Sequence, residues 1–272
     1  MSPVEFVASP DGVRLATYEF GNPKGPELVL IHGFAQAHLC FAPQYKSDAL
    51  RDFRIVTYDH RGHGASDKPA DPKAYQSAEI FARDLAAVLD AKALKRPVLC
   101  GWSMGGRITR QYLLSFGDSR LAGINFVGAL VVEDPTCRGP DGPKLPPPGI
   151  AEQIDDAIAF IGGCFALRPS EPDFRVALAY NMLVPAEVRR TILGWPSNPE
   201  ATIAGLKKVR VPTLISHGRK DSVVLPKAAE RTAAAIAGSR VSWYDQCGHS
   251  PFCEDGPRFN RELAAFVREV VS

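Results

Sequence analysis

The chain holds a serine at 103, an aspartate at 221 and a histidine at 249, the three residue types that together perform acyl transfer. Ser103 is the centre of Gly101-Trp102-Ser103-Met104-Gly105, which follows the apolar run Pro97-Val98-Leu99-Cys100 and precedes a helix-like stretch from Gly106 to Phe116. A buried strand that turns directly into a helix with serine at the apex pushes the hydroxyl out alone above a sheet. At so sharp a turn the two arms almost touch, so positions 101 and 105 have no room for a side chain. The serine itself is forced into an unfavourable backbone region costing about 1–3 kcal/mol.

A serine hydroxyl is a weak nucleophile and needs a base, and the base needs an orienting carboxylate. His249 lies in Cys247-Gly248-His249-Ser250-Pro251, just past the last predicted strand. Asp221 lies in His217-Gly218-Arg219-Lys220-Asp221, just past the strand before it. Both loops belong at the carboxyl edge of a parallel sheet. His32, His60, His63 and His217 are rival bases, and Asp134, ending the strand after the elbow, is the rival acid. Two donors must be aimed at the developing oxyanion, and the backbone N–H groups of Met104 and Phe34 are placed for it. The side chains of Phe34, Met104 and Trp102 either line a substrate pocket or pack in the core.

The elements that must carry these residues read as an α/β chain. Val4 to Ala8 and Val13 to Phe20 form a hairpin turned at Asp11-Gly12. Glu27-Leu28-Val29-Leu30-Ile31, Phe53 to Tyr58, the elbow strand, Gly123 to Val132, Val211 to Ser216 and Arg240 to Tyr244 follow as strands with helical patterns between them. Phe81, Leu85, Val88 and Leu89 mark one helix within residues 76–94; Phe259, Leu263, Phe266, Val267 and Val270 mark the last. Alternation of this kind specifies a mostly parallel central sheet with helices on both faces. It breaks once: Pro135 to Gly149 is rich in proline and leads into helical segments near 151–167, 172–183 and 185–194. The expected organisation is a core of residues 1–134 and 206–272 with a helical cap, 135–205, over the site. Phe160, Phe165 and Leu183 are the cap's candidate pocket residues, with Trp102 facing them from below.

Composition narrows the partner. A net charge of +2 without a basic block gives no footprint for nucleic acid, so a small molecule is expected. The N-terminus lacks a charged start followed by an apolar stretch, and no run of 18 apolar residues occurs, which predicts a soluble cytoplasmic protein with no membrane partner. Six scattered cysteines without C-x-x-C pairing read as reduced thiols; Cys247 and Cys253 flank a histidine but are too few for a zinc site.

His32-Gly33-Phe34, Tyr58-Asp59-His60-Arg61-Gly62-His63-Gly64-Ala65-Ser66, Gly101-Trp102-Ser103-Met104-Gly105-Gly106, Gly218-Arg219-Lys220-Asp221 and Gly248-His249 together resemble the α/β-hydrolase superfamily, above all small bacterial carboxylesterases and cofactor-free haloperoxidases. The resemblance implies a triad of Ser103, His249 and Asp221 and no cofactor or metal. Phe34-Ala35-Gln36-Ala37-His38 lacks the tryptophan-proline pair associated with the haloperoxidases, and a serine at the elbow argues against epoxide hydrolases and haloalkane dehalogenases. The leading expectation is a serine esterase acting through an acyl-enzyme on small to medium, largely uncharged carboxylic esters. Perhydrolysis, carbon–carbon bond hydrolysis and ligand sensing without turnover are the alternatives. Carbon–carbon cleavage requires a fixed cation; Arg189 and Arg190 lie in the cap, while Arg107 and Arg110 read as surface charges. Gln36 and His38 are expected to face solvent.

Overall fold

The structure, a computed structural model, describes residues 4–272. Eight strands form one sheet: β1 (Glu5–Ala8), β2 (Arg14–Gly21), β3 (Glu27–Ile31), β4 (Arg54–Tyr58), β5 (Val98–Trp102), β6 (Gly123–Val127), β7 (Thr213–Gly218) and β8 (Arg240–Tyr244). Their spatial order is β1-β2-β4-β3-β5-β6-β7-β8, antiparallel at β1–β2 and β2–β4 and parallel elsewhere. Gly12 takes φ 85° in the turn between β1 and β2, a conformation that costs glycine little.

Alternate residues of the central strands feed two apolar layers. Val29, Ile31, Val56, Leu99 and Phe126 face one, with α2 (Ala78–Ala91) and α3 (Met104–Phe116); α1 (Ala42–Tyr45) precedes β4, and α8 (Lys227–Ala235) and α9 (Pro251–Glu254) follow β7 and β8. Leu28, Leu30, Ile55, Cys100 and Val127 face the other, with α10 (Gly256–Val271), whose Phe259, Leu263, Phe266 and Val267 are buried as expected. Strands packed on both faces read as continuous apolar runs, which is why β3 and β5 were visible in the sequence.

β6 stops at Val127 rather than continuing to Val132. Gly128 turns the chain with φ 51°, and a Cβ there would meet His249 O at 2.9 Å and its Nδ1 at 3.2 Å. Four helices lie between β6 and β7, not the expected three: α4 (Ile150–Gly163), α5 (Glu171–Met182), α6 (Ala186–Leu193) and α7 (Pro199–Leu206). The fourth has a legible start, since Asn198 Oδ1 accepts the Ala201 N–H and Pro199 takes the first turn. It packs against α3 on the outer layer, where Leu206 is fully buried. No helix among the described residues is long and apolar enough to cross a membrane.

Candidate active site

The elbow is as crowded as its glycines imply. A Cβ on Gly101 would stand 2.7 Å from Gly105 O, and one on Gly105 would meet Ile31 O. Between them Ser103 sits at φ 53°, ψ −115°, capping α3 with its backbone while its N–H donates to Val127 O at 2.9 Å. Strain of this kind persists only where the surroundings enforce it, and it turns Ser103 out of the sheet at the carboxyl end of β5.

His249 reaches the same spot from the other side. Its ring packs on Gly128, one residue after the Val127 that holds Ser103, and its carbonyl accepts Trp102 Nε1–H at 2.9 Å. His249 Nδ1 lies 2.8 Å from Asp221 Oδ2, and the other carboxylate oxygen accepts the Val223 and Val224 N–H groups at 2.9 and 2.8 Å. Burial opposes ionisation of Asp221; the His249 imidazole and the contacts from His217 and His249 nevertheless hold its carboxyl well below the usual carboxylate range. An ionised acceptor fixes the proton of His249 on Nδ1 and leaves Nε2 bare. That Nε2 is buried and has no hydrogen-bond partner among the described residues. Asp134 is elsewhere, accepting the Thr136 N–H and pairing with Arg231 at 2.8 Å.

The other histidines are occupied. His217 Nε2 lies 2.9 Å from Val224 O and 3.3 Å from Asp221 Oδ2. His32, His60 and His63 build the floor of the loop that follows β3: His32 Nδ1 lies 2.8 Å from Gly33 O, His60 Nε2 2.9 Å from His32 O, and His63 Nε2 accepts the Ala35 N–H at 3.3 Å. His38, expected in solvent, is buried against Asp59 at 3.0 Å, and Gln36 is buried as well. The loop thus held presents the Phe34 N–H, and neither it nor the Met104 N–H donates a hydrogen bond among the described residues.

This floor carries a pH dependence. Burial drives His32 and His60 well below the usual imidazole value and His63 down to about 4. The folded chain therefore keeps all three neutral where an unfolded chain, with values near 6.5, takes up protons. Their contribution is complete above pH 6.5 and is lost as pH falls from there toward the folded values. Between pH 7.5 and 5.5 each should remove about 1.4 kcal/mol, so about 4 kcal/mol together. Urea unfolding at the two pH values measures it; a change below about 1 kcal/mol would mean that the folded imidazoles protonate freely.

Ser103 opens onto a cavity of about 160 Å³ that it shares with Phe34, Met104, Leu130 and Val224. Phe34 divides it from a smaller cavity, about 70 Å³, where Phe160 meets the Phe34 ring edge-on at 5.9 Å. Phe165 and Trp102 instead line a larger space of about 610 Å³ between α4, α5 and residues 36–46. Leu183 is a correction: it is 56% exposed at the end of α5, lines none of these cavities, and leaves the inward position to Val184. Arg107 and Arg110 are corrections too. Arg110 is buried and Arg107 mostly so, both beside Glu133, and Arg107, with Arg138, lines the Ser103 cavity, which is therefore not purely apolar. Arg189 is buried, donating to the Asn181 carbonyl in α5 and to the Val184 carbonyl just after it. All six cysteines are free, and among the described residues no group of three or more His, Cys, Asp or Glu side chains could hold a metal ion.

The family model described as the alpha/beta hydrolase family matches residues 28–261, from β3 into the last helix. The chain belongs to the alpha/beta hydrolase family. Among solved structures of such hydrolases, it is 33% identical to a Burkholderia cenocepacia protein whose name proposes it as an aryl esterase, with a TM-score of 0.94 over 99% of both chains. It is 29% identical to the esterase RhEst1 from Rhodococcus sp. ECU1013, with a TM-score of 0.90 over 99% of this chain and 100% of the other. It is also 26% identical to the non-heme chloroperoxidase of Streptomyces lividans, over 96% of this chain and 99% of that one. Within this alpha/beta hydrolase, sequence reasoning missed Arg107, Arg138 and Glu133. The signal was available for Arg107: it lies four residues after Ser103, hence on the same face of α3.

Proposed function

We propose that the chain hydrolyses small to medium carboxylic esters through an acyl-enzyme, with Ser103 as nucleophile, His249 as base and Asp221 as the group that orients it. The observation that carries this reading is the strained Ser103 at the mouth of a cavity, beside the unbonded N–H groups of Phe34 and Met104. His249 Nε2 removes the Ser103 hydroxyl proton as Oγ attacks the ester carbonyl, and the two N–H groups receive the negative charge that forms on oxygen. The carbonyl–alkoxide bond then breaks and His249 returns the proton to the leaving oxygen. Water repeats the sequence on the acyl-enzyme, releasing the acid. Ser103 Oγ is not hydrogen-bonded to His249 here; such bonds are commonly long in unliganded enzymes and tighten on the substrate. The segment 135–205 serves as a cap, since Gly142 and Pro143 of its loop and Ile192 and Leu193 of α6 line the Ser103 cavity.

Ester hydrolysis is favoured over perhydrolysis because the loop holding Phe34 has no proline to reshape its backbone, and its Gln36 and His38 are buried away from the Ser103 cavity rather than offered to a peroxide. The similarity to the two esterase structures supports the same choice. The test compares kcat/KM for p-nitrophenyl butyrate, for peracetic acid formation from acetate and hydrogen peroxide, and for cleavage of a vinylogous diketone acid. The ester should lead by at least tenfold. A tenfold lead for either of the others would overturn the reaction assigned while leaving the fold untouched.

A further inference from the structure

We infer that the Ser103 cavity is built for an ester that also carries a free carboxylate, with Arg107 as the residue that selects it; the inference rests on the ester-hydrolase reading. Arg107 follows Ser103 by one helical turn, about 6 Å along α3, and both line the 160 Å³ cavity. Arg138 stands at the same cavity, on a segment whose neighbours Cys137 and Gly139 pair with the backbone of Leu225 and Val223, just past Asp221. The residues lining that space include two arginines and no carboxylate. Asp141 and Asp156 line the smaller cavity beyond Phe34 instead.

The structural contacts of these arginines do not use all their donors. Glu133 is the acid they share: Arg107 Nε lies 2.8 Å from its Oε1, Arg110 Nη1 3.4 Å from the same oxygen, and Arg138 Nη2 3.3 Å from Oε2. Arg138 is 52% exposed and solvated, whereas the Arg107 and Arg110 side chains are only 13% and 4% exposed; two largely buried guanidiniums thus share one buried carboxylate, which leaves one positive charge unbalanced, and unpaired buried charge is expensive unless a ligand uses it. Arg110 uses one donor on Val131 O. Arg107 does not do likewise: its Nε is off line for a hydrogen bond to Glu133, and no hydrogen bond runs from its terminal nitrogens to a protein group among the described residues. Trp195 lies against its guanidinium, 5.0 Å from Cζ to the ring centroid, which orients the fork without occupying its edge. Burial brings Arg107 down to about 10, which leaves it cationic at neutral pH. A planar fork with free edge donors matches a carboxylate bidentately, and does so better than an ammonium. The bound ester would place its carbonyl at the Phe34 and Met104 N–H groups and its carboxylate, a few bonds away, at Arg107.

The experiment compares the p-nitrophenyl half-ester of glutaric acid with p-nitrophenyl hexanoate, each corrected for spontaneous hydrolysis. The wild type should show kcat/KM at least tenfold higher for the anionic ester. In Arg107→Met the ratio of the two should fall at least tenfold, in Arg107→Lys by less, and Arg138→Met should lower it in the same direction, at the loss of one 3.3 Å contact from a half-exposed side chain to Glu133. An anionic-to-neutral ratio at or below one in the wild type, or both arginine-to-methionine variants slowing the two esters by a common factor, would overturn the inference. Calorimetric titration of Ser103→Ala with glutarate reads the anion site without turnover. Glutarate binding that Arg107→Met weakens at least tenfold, with neither ester hydrolysed, would reject the reaction and keep the site; absence of binding, with hexanoate ester hydrolysed, would do the reverse.

Discussion

Ser103→Ala should leave a folded protein whose ester hydrolysis is lower by about 10⁶ in kcat, the scale on which loss of a serine nucleophile acts in a serine protease. The substitution removes one oxygen that makes no hydrogen bond to His249 Nε2 or to any other group among the described residues, so no buried partner among them is orphaned. Its backbone cost is small as well. Alanine takes a positive φ twice in this chain, Ala35 at 53° and Ala93 at 49°, and the turn at 103 is enforced by the crowding around Gly101, Gly105 and Ile31 rather than by the hydroxyl. Residual hydrolysis would come from the Phe34 and Met104 N–H groups, which still polarise a bound carbonyl toward water. Thermal unfolding should therefore move little while the rate collapses. A variant retaining a tenth of wild-type kcat would remove Ser103 from the chemistry and leave the strained turn without a purpose.

The elbow, the hairpin and the fully buried strands were legible because each states its geometry locally. Gly101 and Gly105 are spaced by the contact they permit, and β3 after Glu27 and β5 carry no charged residue because both faces are covered. Asp221 and His249 were legible as loop residues after successive strands, although only the fold shows that β7 and β8 stand side by side at the same edge. What escaped has a common physical form. The end of β6 depends on Gly128, whose position is fixed by a ring 121 residues further along the chain, so no local pattern marks it. Arg107 and Arg110 carry the residue type of a surface helix, yet Glu133 draws both inward; a buried cation is recognisable only once its anion is found. Leu183 shows the converse, an apolar side chain left outside at the end of α5 while its neighbour Val184 is buried. His32, His60 and His63 are set apart from His249 in the same way, by what their ring nitrogens already hold.

Asp221→Asn should also fold, and should lose about 10⁴ in kcat, the loss recorded for the corresponding change in a serine protease. The asparagine is held in one orientation. Its carbonyl oxygen must take the place of Oδ1, because the Val223 and Val224 N–H groups both point there and an amide NH2 would oppose two donors. The NH2 then replaces Oδ2 and faces His249 Nδ1 at hydrogen-bond distance. Two donors cannot pair, so the imidazole shifts its proton to Nε2 and offers Nδ1 as acceptor. Nε2, the atom required to take the Ser103 proton, is now occupied, and the ionised carboxylate that stabilised the imidazolium is gone. The loss therefore falls on kcat, with KM little changed, and packing survives because every hydrogen bond of the loop 221–224 keeps a partner. Asp134→Asn is the matched control: its carboxylate pairs with Arg231 at the surface and caps Thr136, with no contact to His249. It should cost less than about threefold, the effect of a partly exposed ion pair. Measured side by side, a large loss in Asp134→Asn with Asp221→Asn near wild type would move the orienting acid to the loop after β6.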